Sequence, residues 1–276
     1  MKRRLSMQKL LTALMITCLI MSGLAALTGC RNNSDKLVVA MELAYPPFEM
    51  KDDAGNPSGV SVDFIKAFGA YLGREVDIVN TAWDGLIPSL QTGKADLVIS
   101  SMTITDSRKQ EVDFSDPYAN ALLAILANKN SGITSISDLN QPGKKVAVKT
   151  GSTGYLFAQE NLKNAEIIAL ADESACVIEV SQGKADGFLY DQLTIYRNNT
   201  LYPDTTTSVY IPFQNVEFWG VAVKKGNTEL LDDMNRFIAK YTAEGGFDTL
   251  TNKYLQNEKN AFEELGFKWF FDLSGH

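Results

Sequence analysis

The segment Leu90-Gln91-Thr92-Gly93-Lys94-Ala95-Asp96-Leu97 recurs ninety residues later as Val180-Ser181-Gln182-Gly183-Lys184-Ala185-Asp186-Gly187. In both places a stretch with helical apolar spacing stops at glycine, the chain turns through Lys-Ala-Asp, and a strand-like apolar run begins. Two copies in matching context predict two α/β lobes of similar plan. A polar segment follows each repeated strand, Ser100-Ser101-Met102-Thr103 in the first copy and Tyr190-Asp191 in the second. Open α/β sheets take ligands at the carboxyl ends of their strands, so both segments are expected to face one site between the lobes. Asp96 and Asp186 belong to the turns before those strands and are expected to be structural.

The rest of the chain keeps the alternation of short apolar runs and amphipathic helices that builds βαβ units around a mostly parallel sheet. Leu37-Val38-Val39-Ala40 reads as a strand, and Ser61 as the cap of a helix carrying Phe64, Phe68 and Leu72 on one face and ending at Gly73. Val76 to Val79 is the next strand, and a helix through Leu86 and Leu90 stops at Gly93. Later, Phe218 to Val223 reads as a strand, and Thr228 as the cap of a helix with a stripe of Leu231, Met234, Ile238 and Tyr241 stopped by Gly245-Gly246. Beyond Gln256 the chain is charged and aromatic, and Phe267, Trp269, Phe270 and Phe271 are expected to dock on the body.

The N-terminus reads as a targeting segment. Lys2, Arg3, Arg4 and Lys9 precede an apolar run from Leu10 to Leu27, and Leu27-Thr28-Gly29-Cys30 closes it. The tetrapeptide resembles the lipobox of bacterial lipoproteins, which implies cleavage after Gly29 and lipidation of Cys30. The body then lies outside the cytoplasm, anchored to the membrane at the cell surface or in the periplasm. The whole chain of 276 residues has 26 basic and 33 acidic side chains; without those four bases it carries 22 against 33, a net charge of −11 that repels phosphate backbones and argues against nucleic-acid binding. His276 is the sole histidine, which argues against histidine triads and histidine-based zinc sites, so no metal or cofactor is expected. With Cys18 in the signal and Cys30 lipidated, Cys176 stands alone in the mature body and reads as core.

Four further stretches carry a family resemblance: Ala44-Tyr45-Pro46-Pro47-Phe48, Trp83-Asp84-Gly85-Leu86-Ile87-Pro88, Ser101-Met102-Thr103-Ile104-Thr105-Asp106-Ser107-Arg108, and Val112-Asp113-Phe114-Ser115-Asp116-Pro117-Tyr118. In order and spacing they resemble the bacterial extracellular solute-binding proteins, family 3, the polar amino-acid branch of the ligand-capturing lipoproteins of ABC importers. The resemblance runs from about Lys36 to Leu255. It implies an α/β, two-lobed periplasmic-binding-protein-like (type II) fold with two hinge-crossing strands, near 121–127 and 218–223. Expected boundaries are a signal peptide over 1–29, a linker over 30–36, one lobe from 37–124 and 220–255, a second from 125–219, and a C-terminal extension over 256–276. The partners implied are a free L-amino acid and an ABC permease and ATPase complex, with the protein itself a monomer.

The chemistry of a free amino acid then assigns roles. An α-carboxylate is matched by a planar guanidinium plus neutral donors, and Arg108 is similar to the family's carboxylate-binding arginine. Ser100, Ser101 and Thr103 complete that shell from the first lobe, and the glycine-flanked turn with Ser152 and Thr153 adds amides from the second. An α-ammonium needs acceptors; Asp191 matches the family's ammonium-binding aspartate and also suits a helix N-cap, and the backbone carbonyl of Ser101 is expected as a second acceptor. Tyr45 and Trp83 resemble the aromatics that sandwich the ligand side chain, while Phe48 is assigned to the core. Glu42 and Lys149 match positions that reach the far end of the ligand. An unpaired Glu42 selects a lysine- or arginine-like cation, and a Glu42 neutralised by Lys149 suits a glutamine-like amide. The alternative to a receptor is a cleft enzyme on the same fold, such as a dehydratase using Asp191 or Glu42 as its acid.

Overall fold

Two five-stranded sheets carry the fold in the computed structural model, which describes residues 36–210 and 215–273. In chain order the first sheet uses β1 (Lys36–Met41), then, past a small hairpin of β2 (Met50–Lys51) and β3 (Pro57–Ser58), β4 (Glu75–Asn80), β5 (Leu97–Val98) and β6 (Val112–Phe114). A two-stranded ribbon begins with β7 (Ala119–Ala121), after which the second sheet takes β8 (Leu123–Asn128), β9 (Lys145–Lys149), β10 (Glu166–Leu170), β11 (Gly187–Asp191) and β12 (Thr206–Val209). The ribbon's return strand is β13 (Glu217–Trp219), and β14 (Ala222–Lys224) closes the first sheet. The signal segment, Cys18, Cys30 and His276 lie outside the described residues.

The strand orders are β4-β1-β5-β14-β6 and β10-β9-β11-β8-β12. In each sheet a parallel neighbour pair, β1 with β5 and β9 with β11, is followed by an antiparallel strand, β14 or β8, supplied by the crossing ribbon. The repeated octapeptide is the hinge of this shared plan. Gly93 and Gly183 both take the left-handed conformation, at φ 71 and 70, where a side chain would be strained. The amides of Lys94 and Ala95 then donate to Ser89 O, as those of Lys184 and Ala185 donate to Glu179 O. Asp96 accepts from Val38 N at 2.9 Å and Asp186 from Lys145 N at 2.8 Å, each carboxylate locking its turn onto a parallel strand of its own sheet, β1 in the first and β9 in the second. Both aspartates are therefore structural.

Several local expectations are corrected. Ser61 is not a helix cap: the helix Val60–Leu72 starts after Gly59, and the Ser61 hydroxyl donates instead to Glu49. Thr228 is the first residue of the helix Thr228–Ala243, with Asn227 at the cap position. Tyr190 and Asp191 end strand β11 instead of forming a loop. The crossing ribbon is Ala119–Ala121 paired with Glu217–Trp219, so most of 121–127 is already a central strand of the second sheet. That strand is buried at every position from Leu123 to Asn128, and a run apolar throughout carries no periodicity to tell a crossing from a core strand. Among the described residues no helix is long and apolar enough to cross a membrane.

The aromatic tail docks. After the helix Gln256–Glu264, Phe262 and Phe270 enter the same core as Phe48, Phe64 and Trp219, with Phe270 stacked on Trp219 at 5.7 Å. Tyr196 and Tyr210, from the chain of the second sheet, meet Phe262 and Phe267 edge-on. Buried Asn120, in the middle of the ribbon, donates its side-chain amide to Trp269 O at 2.8 Å, Phe270 O at 3.0 Å and Asp272 O at 2.9 Å. Asn120→Ala removes this side-chain donor from the tail while Asn120 N still donates to Phe270 O, a cost of about 1–3 kcal/mol. At roughly 2–4 °C per kcal/mol for a chain of this size, a melting curve is expected to fall by several degrees. An unchanged melting temperature would show that the tail does not depend on this clamp.

Candidate functional site

Both sheets present the carboxyl ends of their parallel strands to one cleft of about 480 Å³, including its mouth. Its wall from the first sheet consists of Glu42, Tyr45, Trp83, Ser100, Ser101, Thr103 and Arg108; the second sheet's side gives Ser152, Thr153, Tyr190 and Asp191. Leu123 and Trp219, beside the crossing ribbon, complete it. Ten of the eleven residues singled out from the sequence line this cleft, and Lys149 stands behind Glu42.

Arg108 is 7% exposed, in the short helix Asp106–Glu111 capped by the Thr105 hydroxyl. Its Nη1 donates to Thr103 O at 2.7 Å and its Nη2 to Gly151 O at 3.0 Å, so the guanidinium is held by one carbonyl from each side of the cleft. The Trp83 ring lies 5.2 Å from its Cζ, a cation–π contact. Gly151 takes φ 74, and a Cβ there would come within 3.1 Å of Trp83 Nε1, so glycine permits both the turn and the approach of the indole. Burial lowers the guanidinium to about 10, which leaves it charged at neutral pH. Among the described residues no carboxylate lies within ion-pairing distance of it. The Glu217 carboxylate supports its charge from beyond that distance, and a buried cation hydrogen-bonded only to carbonyls is a site that a closer anion would complete.

Ser152 caps the nine-residue helix Thr153–Asn161, accepting from Tyr155 N at 3.1 Å, which brings the positive end of that helix to the cleft wall. On the opposite wall Thr103 bridges to Trp219, and Ile104 N donates to Phe218 O at 2.8 Å. The polar shelf after β5 is thereby stitched to the ribbon that joins the sheets.

Asp191 is buried at the end of β11, where three donors converge on Oδ1: Tyr45 OH at 2.6 Å, Leu193 N at 2.9 Å and Thr194 N at 3.1 Å. It is at once a helix cap and a link across the cleft. Burial pushes its carboxyl above the usual range, opposed by those hydrogen bonds. Tyr45 is core as well as wall, packed on Phe48 at 5.8 Å and edge-on to Trp219 at 6.0 Å. Glu42 pairs with Lys149 across the cleft, and Lys149 Nζ lies 5.4 Å from the Trp83 ring centroid. Trp83 is thus flanked by two cations, Arg108 and Lys149. Cys176 is fully buried with its thiol pushed up to about 12 by burial, in keeping with a core residue.

Sequence reasoning missed Leu123 and Trp219 as lining residues, and Glu49 beneath the shelf, whereas Tyr190 lies in the segment expected to face the site and does line it. Tyr190 adjoins Asp191 at a strand end, which is a usable signal; Leu123 and Trp219 are apolar residues in apolar strands and carry none.

Residues 37–257 match the profile of the bacterial extracellular solute-binding proteins, family 3. This chain belongs to that family. The L-cystine-binding protein TcyJ of Escherichia coli (strain K12) is 32% identical over 219 residues, covering 79% of this chain and 82% of the relative. A probable histidine-binding protein of Neisseria gonorrhoeae is also 32% identical, covering 80% and 83%. Among solved structures, the ancestral amino acid-binding protein AncCDT-1, described as a precursor of cyclohexadienyl dehydratase, superposes with a TM-score of 0.74 at 38% identity, covering 80% of this chain and 95% of that one. The family match ends at residue 257, within the helix Gln256–Glu264 that opens the docked tail of this solute-binding protein.

Proposed function

We propose that this chain is the extracytoplasmic substrate-binding component of an ABC importer for a polar L-amino acid. One observation carries the reading: a buried guanidinium lacking an anion and a buried carboxylate line the same cleft between two sheets joined by a two-stranded ribbon. Arg108 takes the α-carboxylate, joined by the hydroxyls of Ser100 and Thr103, by the backbone of the shelf at Ser101, whose own hydroxyl is engaged by Glu49, and by the helix start at Ser152 and Thr153. Asp191 takes the α-ammonium, with Tyr45 holding its other side. Tyr45 and Trp83 enclose the ligand side chain, and Glu42 and Lys149 meet its far end. Two relatives at equal identity are named for cystine and for histidine, so the side chain is not read across from them. The Glu42–Lys149 pair favours a glutamine-like amide over a cation, because Lys149 already neutralises the carboxylate.

The ligand bridges the two halves, and hinge motion about the ribbon favours the closed form when it binds. The resulting closed surface is what an ABC permease and ATPase complex receives. Lipidation of Cys30 within Leu27-Thr28-Gly29-Cys30 anchors a monomeric body to the outside of the membrane. A receptor is favoured over a dehydratase on the same fold because the acids lining the cleft are already engaged, Glu42 by Lys149 and Asp191 by Tyr45 and two amides.

Calorimetric titration of Arg108→Ala and Asp191→Ala tests the reading. Each leaves one ligand charge desolvated and unpaired, a loss of about 3–5 kcal/mol, or roughly a hundredfold to several thousandfold in Kd. Asp186→Ala, which loosens only the distal turn, is expected to lower the melting temperature while ligand affinity stays near wild type. Near-wild-type binding by folded Arg108→Ala or Asp191→Ala would overturn the assignment. Lys149→Met, which unmasks Glu42, is expected to shift a twenty-amino-acid ranking toward lysine and arginine; an unchanged ranking would remove the pair from the specificity argument.

A further inference from the structure

Ser101 is the one non-glycine residue among those described that has a positive φ, at 47. That conformation is unfavourable for a side chain with a Cβ and persists only where the surroundings impose it. What imposes it is a carboxyl group with no solvent exposure. Ser101 Oγ lies 3.0 and 3.1 Å from the two carboxyl oxygens of Glu49, and Ser61 Oγ donates to the same group at 2.5 Å. Tyr118, Tyr190 and Glu42 are the other titratable groups facing it; the buried Tyr118 hydroxyl has no hydrogen-bond partner among the described residues. Burial pushes Glu49 up to about 8, so near neutrality it sits there largely as a neutral hydrogen-bonding hub. Its main chain reaches the other wall: Tyr45 N donates to Glu49 O at 2.8 Å and Glu49 N to Tyr45 O at 2.9 Å.

We propose that Glu49, which does not line the cleft, is a positioning residue for amino-acid binding, holding the left-handed turn at Ser101 on which the cleft-facing shelf from Ser100 to Thr103 depends. The turn lets Ser100 Oγ accept from Glu42 N at 3.1 Å on one side while Thr103 O accepts from Arg108 on the other. Without the Glu49 side chain, Ser101 relaxes toward negative φ and both groups leave their places. The shelf serves the part common to all amino acids, so the loss should be uniform across ligands instead of changing their order. This inference rests on the cleft being the amino-acid site, and Arg108→Ala separates the two: if it retains binding, the site is misread, whereas if it loses binding and Glu49→Ala does not, only the role of Glu49 fails.

The test is calorimetric titration of the full chain with those of the twenty standard L-amino acids that raise the wild-type melting temperature. Glu49→Ala is expected to weaken each by about tenfold or more, the scale of one strained backbone residue, with the rank order kept. Glu49→Gln, which keeps the hydrogen bonds, should stay within about threefold of wild type. Glu49→Ala combined with Ser101→Gly should bind more tightly than Glu49→Ala alone, because glycine takes a positive φ unaided. Ser101→Val leaves Glu49 in place but lacks the hydroxyl and disfavours the turn; it should lose a similar factor, and it carries the test if Glu49→Ala does not fold. Wild-type affinity in folded Glu49→Ala or in Ser101→Val, or a double variant no tighter than Glu49→Ala, would overturn the proposal.

Discussion

A guanidinium taken out of water and given only two carbonyls is an incomplete ion site, and Arg108 is in that position with one carbonyl from each side of the cleft. Keeping a charge there costs free energy that Glu217 offsets from a distance and that a bound anion would offset directly. Around it the two sides are joined by further polar contacts, Tyr45 to Asp191 and Glu42 to Lys149. These contacts are why the cleft is narrow, and why a ligand with both charges would stabilise the same arrangement more than either side could alone.

The repeat was the most legible feature, because each of its parts does mechanical work that only certain residues do. Gly93 and Gly183 turn left-handed, and Asp96 and Asp186 hold the parallel strands β1 and β9, so the octapeptide had to recur wherever the plan recurred. Charged and aromatic cleft residues were legible chiefly through the family resemblance, which gave Arg108, Asp191 and Trp83 their roles; for Asp191 and Trp83 a place at or after a strand end pointed the same way. What was hidden is what burial makes ambiguous. Leu123 and Trp219 look like any core residue, and Glu49 looks like any charged residue after a turn until its isolation from solvent is seen. Caps were misassigned at Ser61 and Thr228 because a hydroxyl near a helix start predicts a cap only when no other partner or residue takes the position.

The docked tail, which runs past the end of the family match, is tied to the ribbon that joins the two sheets. Residues beyond 257 pack their rings on Trp219 and tie their backbone to Asn120, so both strands of the crossing ribbon touch them. Trp219 is also a cleft residue. The same side chain thus connects the ligand floor, the ribbon and the docked C-terminus, a continuous packed path from the cleft to the surface behind it.

The central claim is that the cleft recognises both charges of one zwitterion. The most direct measurement compares, by calorimetry on the wild-type protein, the best-binding amino acid with its α-decarboxylated amine and its α-deaminated acid. The account predicts that the parent binds and that each analogue, leaving Arg108 or Asp191 unpaired, is weaker by about a hundredfold or more. An analogue lacking one of the two charges that bound as tightly as the parent would contradict it.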